Sequence, residues 1–131
     1  MHKAFLSLGA FFGTIAVALG AFGAHGLKKI VAPDSINVFQ TGVQYQMYHT
    51  LALLIIAIVY DRLPNKWIKY AGNFFCFGIL FFSGSLYVIT AFAAWGKAVP
   101  TSIGVLTPVG GAFFICGWIC FFVGVGRKNS L

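Results

Sequence analysis

Val38-Phe39-Gln40-Thr41-Gly42-Val43-Gln44-Tyr45-Gln46-Met47-Tyr48-His49-Thr50 is half polar, and it runs directly into the wholly apolar Leu51-Ala52-Leu53-Leu54-Ile55-Ile56-Ala57-Ile58-Val59-Tyr60. The apolar part alone is too short to cross about 30 Å of hydrocarbon. Pro33-Asp34-Ser35 is a helix start, with Asp34 or Ser35 able to cap and Pro33 unable to continue a preceding helix. Asp61-Arg62-Leu63-Pro64-Asn65 is a stop. Read together, Ile36 to Tyr60 is one membrane-spanning helix with a polar half.

Three further runs flank it. Residues 4–24 and 70–95 carry no charge, and 104–126 is closed by Arg127 and Lys128. Each is long enough to span. The first has a basic start and small residues near its end, as a secretory leader does. Its apolar stretch exceeds the 7–15 residues of a leader's core, so it reads as an uncleaved helix. The approximate spans are therefore 4–24, 38–60, 70–95 and 104–126, forming one domain of 131 residues. The expected fold class is all-α, an integral-membrane up-down-up-down four-helix bundle, since short connections favour antiparallel neighbours.

Composition agrees. The chain is 60% hydrophobic and 8% charged, against about 25% charged residues in a soluble domain. Its net charge of +7 comes from basic residues in short stretches between apolar runs. That placement suits topology and anionic headgroups. With no basic patch interleaved with aromatics, nucleic acid is not an expected partner; the lipid bilayer is. Lys3, Arg62, Lys66, Lys69, Arg127 and Lys128 fall on one side, and Lys28, Lys29 and Lys97 on the other. Basic residues accumulate in cytoplasmic loops, so both termini are expected in the cytoplasm, in a plasma-membrane protein.

Apolar burial cannot drive helices together in lipid, but close approach through small residues can. Gly9, Gly13, Ala16, Gly20 and Ala24 form such a stripe on the first span. Gly110, Gly117 and Gly124 recur every seven residues on the fourth, the period of a left-handed crossing. The third carries Gly72, Cys76, Ile79, Ser83 and Tyr87 along one side. These stripes can serve packing within one chain or between chains, so a homo-oligomer or a partner membrane protein is a candidate. Cys76, Cys116 and Cys120 all lie in apolar runs and read as small buried packing residues. No metal-ligand constellation and no cofactor motif is present.

Polar residues gather in depth. At about 1.5 Å per residue, His49 lies roughly 13 Å deeper than Gln40, and Ser83 roughly 20 Å along its span from Tyr70. Gln40, Gln44 and Tyr48 form one row, and Thr41, Tyr45 and His49 an adjacent one, leaving the Val43–Met47 side for lipid. With Ser83, Ser85, Tyr87 and Thr107, and with His25 closing the first span, they form a candidate cluster in the outer half of the bundle. An amide or imidazole facing hydrocarbon alone costs several kcal/mol, so all are expected to face protein, one another or water. The bland alternative is a satisfied structural network; the sharper one is a water-accessible pocket with His49 deepest.

Four motifs in order, Gly20-Ala21-Phe22-Gly23-Ala24-His25-Gly26, Gln40-Thr41-Gly42 with Tyr45-Gln46 and His49-Thr50, Phe82-Ser83-Gly84-Ser85-Leu86-Tyr87, and Thr107-Pro108-Val109-Gly110-Gly111, resemble the YwdK/YgdD-like family of small membrane proteins. This is a domain-of-unknown-function family with relatives in animals. The resemblance implies the same four spans and no particular activity. It draws attention to His25, Gln40, Thr41, Gln44 or its neighbours, His49, Ser83, Ser85, Tyr87, Thr107 and Pro108.

Three functions compete. A non-catalytic structural or accessory component predicts a dry, paired cluster. A small-solute or ion pathway would lack the intramembrane carboxylate common in cation-coupled transport. An intramembrane Ser–His enzyme would lack the first glycine of Gly-x-Ser-Gly before Ser83. The first is the expectation, and the chain is not expected to be an enzyme.

Overall fold

The computed structural model describes residues 1–127; Lys128, counted above with the basic side, lies outside them. Helix α1 runs Lys3–Ala24, a short 3₁₀ turn Leu27–Lys29 follows, and α2 runs Pro33–Val59. Helix α3 is Lys66–Ala94 and α4 is Thr101–Gly126. All four are long and apolar enough to cross a membrane, and among the described residues there is no strand.

The ends follow from local chemistry, partly different from the expectation. Helix α2 starts at Pro33 itself, with Ala32 as N-cap and no side-chain cap. Proline's missing N–H costs nothing in the first turn, so neither Asp34 nor Ser35 is needed there. Helix α3 starts at Lys66, four residues before Tyr70, because Asn65 caps it: its Oδ1 accepts from Trp67 N (3.0 Å) and Ile68 N (3.2 Å). It ends at Gly96, whose φ of +68° permits the left-handed turn. Lys97 N–H then reaches Phe92 O and Gly96 N–H reaches Ala93 O, the paired bonds of a Schellman motif.

The start of α1, the end of α4 and the α2–α3 loop share one end. His2 N–H donates to Ala57 O at 2.9 Å, the N-terminal ammonium pairs with Asp61, and Asn65 Nδ2 donates to Gly124 O at 3.0 Å. The Arg127 guanidinium lies 5.2 Å from the centre of the Trp67 ring. The helices therefore alternate in direction, as the short connections predict.

The glycine stripes join helices within this chain. A Cβ on Gly9 would meet Leu54 Cδ2 at 2.5 Å, one on Gly23 the Phe39 ring at 2.9 Å, and Gly13 and Gly20 face Thr50 and Val43. The α1 stripe thus seats on α2. On α4, Gly110, Gly117 and Gly124 meet Phe82, Phe75 and Ile68 of α3, so the seven-residue step on α4 is answered by a seven-residue step on α3. Two antiparallel hairpins, α1–α2 and α3–α4, are joined by α2 packing on α3, with Leu53, Ile56, Ala57, Ile68, Ala71 and Phe75 buried between them. Phe5 covers Gly72 near the terminal end. Farther along, α1 and α3 part to leave a cleft of about 190 Å³ whose lining includes Phe12, Gln46, Gly84 and Tyr87.

Helix α3 is not uniform. Ile79–Ser83 is a π-helical turn, with Gly84 N–H reaching back five residues to Ile79 O. Such turns insert one residue and rotate everything after it. The residues expected to share one side of α3 are turned inward through this turn: Gly72 meets Phe5 of α1, Ile79 and Ser83 are buried and Cys76 and Tyr87 half-buried, while Phe75 and Gly78 form a second face against α4. Cys120 is buried and Cys76 half-buried, but Cys116 is exposed. The expectation of three buried packing cysteines fails there, because the Gly110–Gly117–Gly124 face that meets α3 lies elsewhere on the helix.

Candidate functional site: a polar core between the helices

The helical row Phe39, Gly42, Gln46, His49, Leu53 is the buried face of α2. At its centre Gln46, 2% exposed, ties three helices together. Its Nε2 donates to Phe12 O of α1 at 2.8 Å, and its Oε1 accepts from Tyr87 OH of α3 at 2.6 Å. The carbonyl of Phe12 can only accept, which fixes the amide orientation. Gln46 lay outside the predicted cluster. Its spacing from Gly42 and His49, four and three residues, is the signal that could have found it.

On the loop side of Gln46, Ser83 Oγ donates to Gly42 O at 2.7 Å. Gly42 allows this approach: a Cβ there would lie 2.9 Å from the Tyr87 ring and 3.4 Å from Ser83 O. Ser85 Oγ donates to Phe82 O at 2.8 Å, a carbonyl in the π-turn, and lies 2.6 Å from Thr107 Oγ1 of α4. One serine thus binds α3 to α2 and the other binds α3 to α4.

On the terminal side, His49 bridges α2 and α4. Trp118 Nε1–H donates to His49 Nε2 at 3.0 Å. Indole N–H can only donate, so Nε2 accepts and the ring proton sits on Nδ1, which donates to Tyr45 O at 2.7 Å. The imidazole is flat against Phe114, with centroids 3.6 Å apart and planes at 10°, and edge-on to Phe75. Both nitrogens are occupied. Three residues beyond the α2 midpoint at Gln46, His49 sits about 4.5 Å toward the terminal end of the helix.

The cluster predicted from sequence divides. His49, Ser83, Ser85, Tyr87 and Thr107 come together with Gln46 and Trp118. Gln40, Gln44 and Tyr48 are exposed on the outside of α2 and His25 at the loop end, while Tyr45, part exposed, packs its ring on Phe82 of α3 with centroids 4.8 Å apart. Thr41 returns its hydroxyl to Asn37 O at 2.9 Å. The Gln40–Gln44–Tyr48 row therefore faces outward, and Val43, expected toward lipid, packs on Gly20. The α1 glycine stripe claims the Val43 side, leaving the amide row outermost. Two buried side-chain atoms among the described residues have no partner, Thr50 Oγ1 and Trp67 Nε1. Among the described residues no group of three His, Cys, Asp or Glu comes together to hold a metal.

Interhelical hydrogen bonds in membranes average about 0.6 kcal/mol and reach about 1.7. Tyr87→Phe should lower stability by about 1–2 kcal/mol, since it leaves Gln46 Oε1 buried without its donor. A cycle of Tyr87→Phe with Gln46→Leu, read by unfolding in mixed micelles, should return a coupling of about 0.6–1.7 kcal/mol. A coupling indistinguishable from zero would mean the two side chains do not bond.

The family model described as "Protein of unknown function (DUF423)" matches residues 19–111, a stretch that encloses all four sequence motifs. A "UPF0382 membrane protein" of Haemophilus influenzae is 40% identical over 131 residues, 100% of each chain. "UPF0382 membrane protein YwdK" of Bacillus subtilis is 41% identical over 122 residues, 92% of this chain and 94% of its own. "UPF0382 inner membrane protein YgdD" of Escherichia coli is 39% identical over 124 residues, 93% of this chain and 88% of its own. No solved structure matches the chain.

Proposed function

Since the chain belongs to the DUF423 family of proteins of unknown function, we propose a role for it as a non-catalytic structural or accessory membrane component, one that assembles with copies of itself or with another membrane protein. The observation carrying this reading is that the polar core is consumed by its own bonds. Gln46 uses both ends of its amide, His49 both ring nitrogens, and Ser83, Ser85 and Tyr87 their hydroxyls. Neither serine contacts His49: the Ser83 proton goes to a backbone carbonyl, so no base is in place to activate a nucleophile. The two acidic residues, Asp34 and Asp61, lie in the first turn of α2 and beyond its end. That placement speaks against a carboxylate relay.

The alternative, a small-solute or ion pathway, draws on the cleft between α1 and α3, where Gln46 and Tyr87 form part of the lining. Its polar groups already satisfy each other, which favours the first reading. We place both termini in the cytoplasm of a plasma-membrane protein, on the majority of basic residues at that end.

Single cysteines test both points in a chain whose Cys76, Cys116 and Cys120 have been replaced. In intact cells given a membrane-impermeant thiol reagent, Lys97→Cys should label and Arg62→Cys should not; the reverse pattern would invert the topology. His49→Cys and Ser83→Cys should stay unlabelled. If they label in a folded protein, water reaches the core and the pathway reading takes precedence.

A further inference from the structure

The outward face of α2 is polar where a lipid-facing helix is normally apolar. Gln44 is exposed two residues from the helix midpoint, and Tyr48 is 55% exposed two residues beyond it. Neither side chain has a hydrogen-bond partner among the described residues. At about 1.5 Å per residue, Gln44 lies roughly 16 Å from the start of α2. With a hydrocarbon layer of about 30 Å, its amide is too deep to reach the headgroups. Among the described residues no other span presents an unpaired amide or phenol outward so near its midpoint. An amide left in lipid bears a heavy desolvation cost, and polar groups of this kind act as glue between helices.

The same face carries a seven-residue repeat. Asn37, Gln44, Leu51 and Ile58 recur every seven residues, and Thr41, Tyr48 and Ile55 fall four residues after the first three of them. Leu51, Ile55 and Ile58 are each more than half exposed. A repeat of this period keeps one seam facing a partner helix through a left-handed crossing. The Gly110–Gly117–Gly124 repeat of α4 is spent on α3; on the α2 repeat Asn37, Gln44, Tyr48, Leu51, Ile55 and Ile58 are all exposed.

We propose that this face of α2 is a homodimer interface, in which α2 packs in parallel against α2 of a second copy about a twofold axis normal to the membrane. Copies inserted with the same topology can present α2 to each other only in parallel. At such an axis Gln44 faces Gln44 of the partner subunit. An amide holds both donor and acceptor, so two identical amides can bond reciprocally. That self-complementarity selects a second copy over lipid or an unrelated helix. The dimer rests on the reading of the chain as an assembling component and names its partner.

In the cysteine-replaced full-length chain, Gln44→Cys and Leu51→Cys should give disulfide-linked dimers when isolated membranes are oxidised. Ile115→Cys and Phe122→Cys, on the exposed face of α4, should give at least about fivefold less. Equal cross-linking at all four positions, or none at 44 and 51, overturns the interface. As a second readout, energy transfer between labelled copies of the otherwise unaltered chain should fall on Gln44→Leu by roughly tenfold in dimer affinity, the loss of about two interhelical bonds. The added leucine makes the span more apolar, so insertion is not at risk. Unchanged association, or adducts of position 44 with a different protein, overturns the homodimer. The latter leaves the accessory role standing, and labelling of positions 49 and 83, on the opposite face of α2 or on α3, tests that role alone.

Discussion

Gly110→Leu should prevent α4 from seating on α3, and even Gly110→Ala should lower stability by about 1–3 kcal/mol, the usual range for overpacking. A Cβ at this position would lie 2.6 Å from Phe82 Cα and 2.7 Å from the Phe81 carbonyl carbon. Those are backbone atoms of the π-turn, and they cannot swing aside as a side chain does. Alanine gains about 1 kcal/mol of helix propensity over glycine, and the contact outweighs it. Gly104→Ala is the internal comparison: nothing lies within 4 Å of its Cβ, so it should be neutral or stabilising by up to about 1 kcal/mol. Unfolding of both variants in the same micelles decides the matter; equal stability would show that α4 does not pack through Gly110.

The second large effect is at Asn65, 1% exposed. Asn65→Ala should lower stability by about 2–3 kcal/mol. Loss of the α3 cap accounts for about 1 kcal/mol, and loss of the Nδ2 bond to Gly124 O for about another, with more if that carbonyl stays buried and unbonded. Asn65→Ser keeps an oxygen for the cap but cannot span to α4, so it should recover about half of the loss. If serine performs no better than alanine, the cap contributes nothing; if it equals the native chain, the bond to Gly124 contributes nothing. The residue joins the start of α3 to the end of α4.

Much of this architecture is legible in the chain itself. Four apolar runs separated by short charged loops leave a helical bundle as the arrangement that satisfies every backbone group in lipid. The glycine periods on the first and fourth spans announce close contacts, and both occur. Their partners are not legible, because a period says how a helix repeats and not which neighbour answers it. Nothing in Ile79-Leu80-Phe81-Phe82-Ser83 marks a π-turn, which forms where Gly110 brings backbone against Phe82 and Ser83 bonds to Gly42.

The polar core shows the same division. That α2 holds amides and an imidazole which need partners was evident from the depth of Gln40, Gln44 and His49 in an apolar chain. Which of them turn inward was not, because glutamines recur on several faces of the helix. Composition and hydropathy alone determined four spans and an alternating bundle, since hydrocarbon excludes unpaired backbone wherever it occurs. Only the tertiary structure decided that Gln46 and His49 face the core while Gln44 and Tyr48 face out. The rotation of α2 about its axis is set by where the α1 glycines and the aromatic rings of α3 and α4 touch it, and those are contacts between residues distant in sequence.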